Sequence, residues 1–105
     1  MSAGIVSLYA TFPGGEEACR VARILVNERL VACANILGAC HSIYRWEGAV
    51  EEAQEVAVIF KTSAGKAEAA LARLAALHSY DVPAAVVWPI ADALVPYAQW
   101  VEAES

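Results

Sequence analysis

The chain has 105 residues and a mass of 11.1 kDa, enough for one domain over residues 1–105 and too little for a second core. Seven Lys and Arg against twelve Asp and Glu leave a net charge of −5, so no basic face is available to neutralise phosphates and nucleic acid is excluded as a partner. With 59% hydrophobic and 18% charged residues the chain packs, and it carries more apolar surface than so small a domain hides alone, which points to self-association.

Residues 5–11 are rich in β-branched and aromatic side chains and stop at Pro13-Gly14-Gly15, which reads as a strand entering a turn. Ala18, Val21, Ala22 and Leu25 then recur at i, i+3, i+4 and i+7, the inward stripe of a first helix with Glu16 and Glu17 in its first turn and Arg29 in its last. Residues 31–37 form a second strand, Gly38 marks a bend or bulge, and the extended character resumes through residues 42–46. Glu47-Gly48 turns the chain into residues 54–62, where Val56, Val58 and Phe60 alternate with Ala57, Ile59 and Lys61. The resulting hairpin has arms of about twelve or more residues, against a usual five or six, so its tip is expected to project and to need a neighbour.

Ser63 is placed to cap a second helix with Ala67, Ala70, Leu71 and Leu74 facing inward, ending near His78. Residues 81–83 make a loop and residues 84–88 a last strand, closed by Pro89, which cannot donate to a ladder and belongs at an edge or strand end. Pro96 suits the first turn of a terminal helix with Tyr97, Trp100 and Val101 on one stripe. The order is two βαβ halves in series, the α+β ferredoxin-like split βαβ fold: a four-stranded antiparallel sheet with both principal helices on one face. The other face is left for further subunits to cover.

Membrane insertion is excluded, because the longest uncharged runs, residues 1–15 and 30–44, are interrupted by polar or glycine residues and fall short of the roughly 18 apolar residues a span requires. No Lys or Arg precedes Arg20, so the reading is cytoplasmic. Three cysteines without a Cys-x-x-Cys pair fit reduced thiols rather than disulfides or a zinc ribbon. Enzyme signatures are missing: Gly14-Gly15 is a strand-to-helix turn rather than a phosphate cradle, and Cys40 and His41, adjacent on a strand, point to opposite faces. Cys33, Cys40, His41 and His78 are donor types suited to soft or borderline ions, though their spacing is not diagnostic. His78, at a helix C-terminus that favours a protonated imidazole, is either a cap or a ligand. Tyr44, Trp46, Tyr97 and Trp100 would be a liability as monomer surface and fit subunit packing, and for Tyr44 and Trp46, which share a hairpin face, a stacking platform for a ligand is the alternative.

Residues 30–36 (Leu-Val-Ala-Cys-Ala-Asn-Ile), residues 42–48 (Ser-Ile-Tyr-Arg-Trp-Glu-Gly), Lys61-Thr62, residues 78–83 (His-Ser-Tyr-Asp-Val-Pro) and the Tyr97/Trp100 pair fall in the right order to resemble the CutA family of divalent-cation tolerance proteins over nearly the whole chain. The resemblance implies a ferredoxin-like homotrimer, related in architecture to the PII signalling proteins, with strand pairing between subunits, binding of copper or other divalent ions, and no catalytic reaction. Ser79, Ala84, Ala10 and Leu77 depart from the Pro, Glu, Cys and His of some members, so His78 alone remains of their proposed copper set.

The expected function is therefore a cytoplasmic homotrimer binding copper, another divalent metal ion or a small ligand in clefts between subunits, without an organic cofactor. His78 is expected as metal or anion contact, Asp81 as oxygen donor or orienting partner, Lys61 as counter-charge and Trp46 as wall, with Glu47 and Tyr80 beside them. Tyr44, Trp46, Tyr97 and Trp100 are expected at the trimer interface. The alternative is a PII-like signalling or scaffolding trimer acting through protein contacts. An enzyme using His78 or Asp81 as base lacks a second convergent group.

Overall fold

In the computed structural model, which describes residues 3–105, strand β1 (Ile5–Phe12) supplies the centre of the core. Its even-numbered residues Val6, Leu8, Ala10 and Phe12 are buried on one face, where they meet Ala18, Val21, Ala22 and Leu25 of helix α1 (Gly15–Asn27). Helix α2 (Ala67–Leu77) adds Ala70 and Leu74 to the same cluster, with Ala67 and Leu71 packed around it as the periodicity predicts. Strands β2 (Cys33–Trp46), β3 (Ala49–Ser63) and β4 (Ala85–Pro89) complete a sheet in the order β2-β3-β1-β4, every neighbouring pair antiparallel. This is the α+β ferredoxin-like arrangement expected from the element order. Pro89 lies at the end of edge strand β4, where its missing N–H is tolerated.

β2 and β3 have 14 and 15 residues, and β1 pairs with β3 only from Val56 to Ser63. Residues 49–55, with their partners from Cys40 to Trp46, therefore extend past the sheet as a two-stranded arm. The arm stretches the molecule to 44 × 28 × 22 Å and raises its radius of gyration to 14.2 Å, above the roughly 13 Å usual for a domain near this length. Its turn is made by Glu47 and Gly48, with φ of 50° and 84°, the sign at both positions that lets a two-residue hairpin follow strand twist. The register steps between Ile36/Val58 and Gly38/Ala57, leaving Leu37 extra, so the bend expected at Gly38 is a bulge, with φ of 95°.

Two local expectations are corrected. α1 ends at Asn27 before Arg29, which adopts φ 58° and sends its guanidinium to the Ala103 carbonyl, so no basic side chain serves the last turn. Ser63 does not cap α2: a 3-10 turn over Ala64–Lys66 intervenes, and the Ser63 hydroxyl is hydrogen-bonded to that of Ser105 at 2.7 Å. The C-terminal partner outcompetes local capping because it comes from helix α3 (Val95–Glu104), whose Ala98 and Val101 pack on Ile5 and Ala32. Ile5 is out of phase with Val6 and Leu8, so this second cluster lies on the opposite face, over one end of the sheet.

The rest of that opposite face is open. Tyr9 stacks on Trp88 with ring centroids 4.9 Å apart, and Trp88 is still 46% exposed. Val86 and Leu37 are exposed as well, as are Ile43 and Val50 on the arm. Among the described residues no helix is long and apolar enough to cross a membrane.

Candidate functional site

The arm and the segment after α2 enclose a groove of about 400 Å³ lined by Tyr44, Trp46, Glu51, Ser79, Tyr80, Asp81 and Val82. Tyr44 and Trp46 share a strand face because they are two residues apart, and the turn sets Tyr44 opposite Glu51 in the register. The far wall is a loop with no regular hydrogen bonding of its own, so its shape depends on side chains that hold its backbone. Glu17 Oε2 accepts from the Ser79 N–H at 3.1 Å, His78 Nδ1 accepts from the Tyr80 N–H at 3.1 Å, and the Tyr80 hydroxyl donates to Glu55 Oε2 at 3.1 Å.

His78 is the C-cap of α2, and its side chain is fully buried. The imidazole stacks on Phe12 at 4.7 Å and lies 4.8 Å from the Tyr80 ring. Its Nε2 is 2.7 Å from the Thr11 carbonyl, which accepts only, so Nε2 carries the proton. Nδ1 is already accepting from Tyr80, which makes the ring neutral, contrary to the charged form expected at a helix C-terminus. Two specific hydrogen bonds outweigh the helix dipole here. Glu17 Oε2 lies 3.6 Å from Nδ1. A metal at either nitrogen would have to displace one of these backbone bonds.

Burial favours the neutral form of Glu17, but hydrogen bonding from Ser79 prevails, with the Arg20 guanidinium adding to it, and its pKa is lowered from 4.5. Burial and then the Glu55 carboxylate push the Tyr80 phenol up to about 12, so it stays neutral and keeps donating. Glu17 was legible only as a first-turn acid of α1 and Glu55 not at all, since both act on the loop across long separations. Glu51 was within reach: counting outward from a two-residue turn at Glu47-Gly48 pairs it with Tyr44.

The structure thus brings together Trp46, Tyr80 and Asp81 of the expected cleft, adds Tyr44, and puts His78 beneath the loop. It places Glu47 in the exposed turn and Lys61 between Ser7 and Cys33 in the body of the sheet, neither on the groove. Tyr97 and Trp100 stack on each other on α3, and the Tyr97 hydroxyl is 3.7 Å from Cys33 Sγ. Burial and Cys33 raise the Tyr97 pKa to about 12. On the arm, His41 Nε2 donates to Glu52 at 2.6 Å and Nδ1 accepts from Gln54 at 3.0 Å, while Cys40 faces Ser42 at 3.9 Å, so thiol and imidazole form no pair. Among the described residues no group of three or more His, Cys, Asp or Glu side chains converges as a metal site.

These features define a ferredoxin-like domain with a projecting hairpin and a groove between that hairpin and the loop after α2. The family described as "CutA1 divalent ion tolerance protein" matches residues 6–104, and the chain belongs to that family. It is 40% identical over 101 residues to the divalent-cation tolerance protein CutA of Pyrococcus horikoshii, covering 96% of this chain and 98% of that one. It is 43% identical over 91 residues to the protein of the same name from Thermus thermophilus, covering 87% and 88%. The crystal structure of CutA from Xylella fastidiosa is similar with a TM-score of 0.93 at 37% identity, covering 96% of this chain and 97% of that one.

Proposed function

We propose that this member of the divalent-cation tolerance family works as a homotrimer whose ligand site is the groove between the arm and residues 79–82, closed on its open side by a neighbouring copy. The observation that carries the reading is the convergence of Trp46, Tyr80 and Asp81 from segments far apart in sequence on one groove whose loop is held from beneath by buried His78. A divalent ion as cargo would meet there the carboxylates of Glu51 and Asp81, oxygen donors suited to hard ions. Copper prefers imidazole or thiolate, and within one chain these do not fit it: His78 has both nitrogens engaged, and Cys33 and Cys40 face other partners. His78 is in this reading a positioning residue for the loop. The three free cysteines suit a reducing compartment, and the reading places the protein in the cytoplasm.

The test is a titration of the intact protein with Mg²⁺ and Cu²⁺ followed by amide NMR. Shifts centred on Glu51 and residues 79–82 in wild type, and lost in the Glu51→Gln/Asp81→Asn variant, are the expected result. Shifts centred on His78, Cys33 or Cys40 with none at the groove would contradict it. A second reading, a PII-like scaffold acting through protein contacts, draws on the arm, where Ile43 and Val50 are 65% and 63% exposed on one face and Trp46 47% exposed on the other. The relatives' names are those of tolerance proteins rather than enzymes, and no reaction is assigned.

A further inference from the structure

The walls of the groove are aromatic and its charges are all of one sign. Within one chain Tyr44, Trp46 and Tyr80 are each between 36% and 47% exposed, so the chain itself leaves their rings open toward the groove. Glu51 and Asp81 are the ionisable acids of the lining, and none of the seven lining residues is Lys, Arg or His. Glu55 stands behind Tyr80, accepting a hydrogen bond from its hydroxyl, and so turns the phenol away from donating to a ligand. An anion would find no counter-charge here, and a bare metal ion only two carboxylates. A ring face attracts positive charge through its quadrupole, most strongly for Trp, and carboxylates beside the rings reinforce that attraction.

We infer that the groove selects a small organic cation, an alkylated ammonium group held against Trp46 and Tyr44 with Glu51 and Asp81 as counter-charges. The inference rests on the groove being the ligand site and names its ligand class. The polar rim from Ser79 and the apolar Val82 suit a ligand with a short neutral tail attached to the charged head. The chain's net charge of −5 draws such a cation in and repels competing anions.

The probes are choline and its uncharged carbon isostere 3,3-dimethylbutan-1-ol, each titrated into the full-length protein and read from the Trp46 indole and the 79–82 amide signals. Choline is expected to bind about tenfold more tightly than the isostere, more weakly as salt rises, and at least about fivefold more weakly in Trp46→Leu and in Glu51→Gln/Asp81→Asn. The last variant is isosteric and leaves the fold intact, which amide spectra would verify. Equal binding of the two probes at the groove overturns the cation assignment while leaving the groove as a ligand site. No binding of choline overturns it too, and the divalent-ion titration then decides separately whether the groove is a site. Signals that move only outside the groove overturn both readings.

Discussion

At the scale of single residues, the site depends on a histidine that is engaged at both nitrogens. His78 carries a proton on Nε2 to the Thr11 carbonyl and accepts at Nδ1 from the residue two places on, so it fixes where the loop leaves α2. Truncation in His78→Ala removes a buried, stacked ring and two hydrogen bonds, and is expected to cost about 2–4 kcal/mol in urea unfolding at fixed protein concentration. Its copper isotherm is expected to match wild type. Lost copper binding with unchanged stability would contradict the positioning role. Glu17, whose folded pKa is depressed, contributes stability that is present above about pH 4.5 and disappears as pH falls through the folded value. Glu17→Gln should therefore flatten the acid limb of the stability profile between pH 7 and pH 3; an unchanged slope would contradict it. A histidine at the end of α2 was legible in the sequence, but its acceptor is 67 residues away, and only tertiary packing shows that it is neutral and enclosed.

At the scale of elements, the hairpin was the most legible feature, because Glu47-Gly48 sits between two long extended runs and fixes the pairing on both sides. The bulge was legible through Gly38, whose φ of 95° is left-handed backbone that a side chain resists. A Cβ there meets open space, so the cost of Gly38→Ala comes from the backbone alone and is expected to be about 1–2 kcal/mol. Gly65→Ala, also in open space and without that conformation, serves as the neutral comparison in the same unfolding experiment. Equal stabilities for the two variants would show that the bulge does not hold Gly38 in this conformation. Of the groove, Trp46, Tyr80 and Asp81 were legible in the sequence; Glu51 was not named, and the conformation of residues 79–82 had no local signal because the loop is held by Glu17, His78 and Glu55. Arg29 and Ser63 were misplaced for the same reason: their partners, Ala103 of α3 and Ser105 just after it, come from the far end of the chain.

At the scale of the whole molecule, the sheet is covered by α1 and α2 on one side and only at one end by α3 on the other. The stacked Tyr9 and Trp88, with Val86 and Leu37, leave an apolar face, and an arm bearing Ile43, Val50 and Trp46 extends beyond the body. A lone chain presenting that much apolar area to water would tend to associate without order, and in the proposed homotrimer symmetry-related copies would cover the face and support the arm. In that assembly a neighbour would wall the groove between the arm and the loop, which would tie the proposed ligand site to assembly. Sedimentation equilibrium of the wild-type chain at micromolar concentration measures this most directly. The account predicts a single species of three times 11.1 kDa, and a soluble, stable species of 11.1 kDa would contradict it.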